Sequence, residues 1–194
     1  MNMKLALIGL GAASLSACVS VLPEPVAPDA LYKIEAQTKL TGLTHDIIVR
    51  EPEAPRLIAG QGIVSEGADG GLRMIPSAEW SGPATRQIQL AMIDSFATGT
   101  EGNAVLPELG IFAGYELASK LSVFRLQGET AMCEMVVSLI ATEDRSLVAR
   151  TNITSETRAD SGKAKDRALA LKEAASDCAT QASQFAIDKL PDGS

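Results

Sequence analysis

Three patterns in the 194-residue sequence predict an α+β fold, with an antiparallel β-sheet and two main helices packed on it, the longer at the C-terminus. Strand-period alternation runs through residues 114–155. Apolar residues spaced by three and four recur in two stretches, 81–99 and 162–189. Hydrophobic residues make up 46% of the chain and aromatics only 4%, so the core is built from aliphatic side chains.

The N-terminal stretch stands apart from that fold. Lys4 precedes an apolar run from Leu5 to Ala13, followed by Leu15-Ser16-Ala17-Cys18. A membrane span needs about 20 apolar residues, so a run this short reads as the core of a signal peptide. The tetrapeptide resembles the lipobox of bacterial lipoproteins, in which the cysteine thiol takes a diacylglyceryl group and the chain is cut just before it. Residues 1–17 are therefore expected to be a lipoprotein signal peptide, and Cys18 the lipidation site, with palmitate-type acyl chains. Residues 18–30 hold Pro23, Pro25 and Pro28 and no periodicity. At about 3.1 Å per residue in a polyproline conformation they span roughly 35 Å, the reach of a tether. The folded domain is expected over 31–194. Val19, rather than aspartate, follows Cys18. By resemblance to the sorting rule of enteric bacteria, that favours the periplasmic face of the outer membrane.

Within the domain, Leu31–Ile34 and Asp46–Arg50 read as strands, and Glu51-Pro52-Glu53-Ala54-Pro55 as a break. Arg56–Ser65 and Gly71–Pro76 read as the two arms of a hairpin around the turn residues 66–71. Ser81 is placed to cap a helix of about fifteen residues, with Pro83 in its first turn and Gly99 ending it. Ile88, Met92 and Phe96 form its inward stripe. Pro107 interrupts the next connection. A meander follows: Tyr115–Val123, then Thr130–Ala141, then Ser146–Ser155. Ala131, Cys133, Met135, Val137 and Leu139 share a face of the second strand, and Leu147, Ala149 and Ile153 point inward from the third. From Gly162 to Lys189, the residues Ala168, Leu171, Ala175, Cys178, Ala182 and Phe185 line one helix face. Lys172, Glu173 and Asp177 lie opposite.

With Cys18 lipidated, Cys133 and Cys178 remain. An exported protein meets oxidising conditions, which favour a disulfide between them; the alternative is two buried thiols. If the two apolar faces meet, a bridge would pin the last helix to the meander and contribute about 3–5 kcal/mol. The net charge of -7 argues against a nucleic-acid partner and against broad attraction to anionic lipid headgroups. His45 is the only histidine, and no nucleophile motif or ligand-spaced cluster accompanies it, so neither an enzyme nor a metal or cofactor site is expected. Gly60-Gln61-Gly62 lacks the spacing of a phosphate loop. Trp80, Arg50 and Arg56 are the candidate partner contacts. The plainer readings are core packing for Trp80 and a solvated face for the arginines.

Taken in sequence, these features resemble the ABC-type transport auxiliary lipoproteins, a family that includes the paraquat-inducible PqiC-type lipoproteins. The resemblance rests on the lipobox at Leu15–Cys18, the proline-bearing tether and a first strand with Tyr32-Lys33-Ile34. It continues through Ile48-Val49-Arg50-Glu51-Pro52, the helix entry Glu79-Trp80-Ser81-Gly82-Pro83, the meander and the alanine-rich last helix. Pro55-Arg56-Leu57-Ile58-Ala59-Gly60 departs from the family's usual Pro-Tyr-Leu-Asp stretch. The resemblance implies a non-enzymatic accessory role beside a mammalian-cell-entry (MCE) domain protein and an ABC permease and ATPase. Such systems move phospholipid or other lipid between membranes. The alternative expectation is an outer-membrane module that docks on or activates a cell-wall synthase or secretion assembly.

Overall fold

The computed structural model describes residues 27–98 and 101–191, so the predicted signal peptide, Cys18, most of the tether and Gly99 lie outside the described residues. The chain first forms two short strands, Ala30–Tyr32 (β1) and Ile47–Val49 (β2). The expected strand over 56–65 is split. Pro55, fixed at φ −56°, offers its carbonyl to the N–H groups of Ile58 and Ala59, and Arg56–Ala59 (α1) closes one helical turn. Strand begins only at Gly62–Glu66 (β3) and returns over Leu72–Trp80 (β4), longer than the sequence suggests. Gly70, at φ +76°, makes the turn between them, and Asp69 holds Arg73 across it.

Ala84–Ser95 (α2) follows Pro83 as expected, but Ser81 does not cap it. The Ser81 N–H is committed to the Tyr32 carbonyl. Gln87 ties down the entry instead, donating to the Gly82 carbonyl and accepting from the buried Ile34 N–H at 2.7 Å. The helix stops at Ser95, short of Gly99, because the chain turns extended at Phe96 and pairs with Leu40. Ala104–Val105 (β5) and a 3-10 turn at Pro107–Leu109 lead into the meander. Its strands are Tyr115–Gln127 (β6), Thr130–Ala141 (β7) and Leu147–Arg158 (β8), and Ala164–Lys189 (α3) completes the chain.

β6 is the axis of the sheet. β7 and then β8 add antiparallel on one side. The other edge of β6 is shared, with β2 beside Tyr115–Leu117 and β3 beside Leu126–Gln127. Both are parallel to β6. β5 extends β2, again in parallel, while β4 pairs antiparallel to β3 and carries β1 parallel on its outer edge. The α+β class and the helices packed on the sheet match the sequence reading. The four parallel pairings go beyond it, and they join short segments far apart in the chain.

One face of the sheet carries the core. Leu117, Leu121, Phe124 and Leu126 of β6 and the predicted run from Ala131 to Leu139 of β7 are all buried. α3 lies over them on Leu171 and on Ala168, Ala174, Ala175, Cys178, Ala179 and Ala182, the last six small enough to let its axis approach the strands. α2 packs beside it through Ile88 and Met92, and the buried Ser183 hydroxyl lies 2.9 Å from the Met92 carbonyl, linking the two helices. Leu147 departs from its expected inward position. A bulge in β8 sets Leu147 opposite Ile140 while Ala149 stays opposite Leu139, and the shift leaves Leu147 57% exposed.

Candidate partner-docking surface

Helices cover one face of the meander, so every second residue is left on the other. In register across that face stand Glu116 and Ile140, then Ala118, Ser138 and Arg150, then Lys120, Val136 and Asn152. The segment after β2 runs beside β6, held by the Arg50 N–H on the Leu117 carbonyl and the Glu53 N–H on the Ser119 carbonyl. Between segment and sheet lies a groove of about 520 Å³, bordered by Arg50, Glu53, Glu116, Lys120, Arg145 and Arg150.

Glu116 is the fixed point of this groove. Its side chain is only 6% exposed, and its carboxylate accepts from Arg50 Nη2 at 2.7 Å and from Arg145 Nη1 at 3.3 Å. Burial pushes its pKa up, but the hydrogen bonds and charges of Arg50 and Arg145 outweigh burial and hold it below the ordinary carboxylate value. Arg145 reaches it from a left-handed backbone conformation, φ 61°, that an arginine adopts at some cost. A carboxylate kept ionised between two guanidiniums is poorly placed to trade a proton. Its effect is to fix two cations, one from the segment after β2 and one from the β7–β8 turn, against a rigid strand, an arrangement suited to recognising charge.

The sequence-predicted residues divide. Arg50 borders the groove with its side chain half exposed, and Arg56 stands exposed at the first position of α1, outside the groove. Trp80 is a correction. It is fully buried and stacks on Phe124, ring centroids 5.6 Å apart, so it packs the core and presents no surface to a partner. His45 meets Tyr115 edge-on and lies 3.0 Å from the Thr44 hydroxyl. Cys133 and Cys178 lie on facing surfaces of β7 and α3, as the periodicities require. Both are fully buried free thiols, with Cys178 Sγ 3.1 Å from the Cys133 carbonyl oxygen, and the expected disulfide is not formed in the structure. Burial first, and the neighbouring thiol second, push the Cys133 thiol well up, which keeps it protonated in the folded domain.

Glu116, Lys120, Arg145 and Arg150 carry no signal in the sequence, where they read as the polar half of alternating strands or as a turn. Among the described residues no group of three or more His, Cys, Asp or Glu is arranged to hold a metal ion, and no helix is long and apolar enough to cross a membrane.

A family model described as the ABC-type transport auxiliary lipoprotein component matches residues 30–183. The fold is similar to the crystal structure of a Xanthomonas campestris protein of the DUF330 family. The TM-score is 0.73 at 20% identity, covering 82% of this chain and 96% of that one. It is also similar to the crystal structure of a protein described as uncharacterized, with a TM-score of 0.57 at 12% identity, covering 79% and 99%. At such identities the likeness concerns the fold alone. Comparison with curated proteins finds no match.

Proposed function

The chain belongs to the ABC-type transport auxiliary lipoprotein components, and on that premise we propose that it is a non-enzymatic accessory of an MCE-type ABC system that moves phospholipid between membranes. The observation that carries this reading is the span of the match. It runs from the first residue of β1 into the last third of α3, so the described fold as a whole is the auxiliary component. In this reading residues 1–17 are removed, Cys18 carries the lipid at the periplasmic face of the outer membrane, and residues 18–30 set the reach of the domain. The domain over 31–194 docks an MCE-domain protein or its permease, and Arg50 and Arg56 are exposed for such contacts.

Export extends the reading to the cysteine pair. Transfer of two electrons and two protons from the Cys133 and Cys178 thiols to an envelope protein disulfide would join the two sulfurs and leave the donor as a dithiol. Burial of both thiols requires that this happen before α3 docks. Protein taken from the envelope under denaturing conditions should resist alkylation at both positions until it is reduced. Two thiols alkylated without reduction would sink the bridge.

Crosslinking in the native envelope, followed by affinity recovery of the tagged full-length protein, tests the function. Recovery of an MCE-domain protein or the ABC permease is the expected result. Recovery of a cell-wall synthase or secretion component, with no transport subunit, overturns it.

A further inference from the structure

Three large apolar side chains stand in solvent on the loop that precedes β6: Leu109 at 60% exposure, Ile111 at 48% and Phe112 at 82%. The loop is braced on both sides. Leu109 and Gly110 donate to the Leu106 and Pro107 carbonyls, with Gly110 in the left-handed region at φ +64°. Arg86 of α2 holds Glu108 at 2.9 Å, and the Thr142 hydroxyl donates to the Ala113 carbonyl at 2.6 Å. These side chains are therefore held out on an ordered backbone. Apolar side chains grouped in this way mark an interaction site more often than singly exposed ones do.

The topology says which way this end points. β1 runs parallel to β4, β4 antiparallel to β3, and β3 parallel to β6, so β1 runs antiparallel to β6. Residues 27–29, just before β1, thus approach from the Gly128 side of the sheet. The Asp29 N–H on the Ser77 carbonyl fixes that approach. The apolar loop lies at the opposite end of the thirteen-residue β6, roughly 40 Å along the strand from Gly128 at about 3.3 Å per residue. Arg50 and Arg145, fixed by Glu116 one residue into β6, stand at the same end.

We infer that the loop over residues 107–113 is a protein-docking element that enters an apolar pocket with an acidic border on a subunit of the transport system. The inference rests on the proposed function and adds the surface. A partner protein is favoured over the anchoring bilayer because the chain joins the domain at the other end, and because a chain of net charge -7 is repelled by anionic headgroups. The one positive charge that Arg50 and Arg145 together leave over Glu116 is the complement to an acid on the partner.

A benzophenone-bearing phenylalanine placed at position 112 of the full-length lipoprotein, irradiated in its own envelope, tests this. The expected product is an adduct with a transport subunit. Its yield should fall at least about tenfold with Ile111→Ser and Leu109→Ser while the thermal melt is unchanged. The same probe at position 72, near the Gly128 end, should give no such adduct. Adducts with lipid alone, or with a second copy of the chain, overturn the inference. An absence of adduct at 112 while general crosslinking still recovers transport subunits overturns the docking loop and leaves the function standing. Loss of the subunits in both experiments overturns both.

Discussion

At the scale of single residues, Glu116 shows how burial and pairing compete. Desolvation alone would raise its pKa, yet two arginines hold it below the ordinary carboxylate value of 4.5. A depressed folded-state pKa contributes stability that is present in full above the ordinary value and is lost as pH falls through the folded one. Glu116→Gln should therefore be less stable than wild type at pH 7, and the gap should close as the pH drops below about 4.5. Melting temperatures of both proteins from pH 7 to pH 3 would show it; a gap that stays constant would mean Glu116 does not hold its arginines through charge. Trp80 teaches a different lesson. A lone tryptophan before a helix is consistent with both a core anchor and an interface. Only the pairing of β4 with β3, with Phe124 beneath, decides for the core.

At the scale of elements, what was legible followed from periodicity. The alternation in β6 and β7 and the three-and-four spacing in α2 and α3 name their buried faces directly, because each period is set by local geometry. Segments governed by distant partners were not legible in the same way. Residues 56–59 look like strand by composition, but there the partner is local: the adjacent Pro55 carbonyl accepts from the Ile58 and Ala59 N–H groups and closes one helical turn. The bulge that turns Leu147 outward leaves no mark in sequence, since it is a property of the β7–β8 register. The alanine stripe of α3 makes a testable claim about packing. Ala179 is fully buried between the helix and its neighbours. Ala179→Leu should force the helix off the sheet and cost about 1–3 kcal/mol, measured by urea unfolding. A change within about 0.5 kcal/mol would show that the contact tolerates a larger side chain.

At the scale of the whole molecule, class and composition were readable because they sum many weak local signals. The parallel pairings of β1, β2, β3 and β5 were not, since strands of two to five residues carry little pattern of their own. The groove followed from the same blindness: it exists only because the segment after β2 is laid against β6. What remains is a domain with a groove of mixed charge and an apolar loop toward one end of β6, with residues 27–29 joining from the other. That arrangement fits a protein whose work is done by position, and in the proposed function position depends on Cys18. The most direct measurement is envelope fractionation with intact mass analysis of the wild type beside Cys18→Ala. A positional role predicts membrane-bound wild type that begins at a lipid-modified Cys18, and a Cys18→Ala variant that folds but leaves the membrane fraction. A wild-type protein that keeps residues 1–17 without lipid, or a variant that still sediments with membranes, would contradict it.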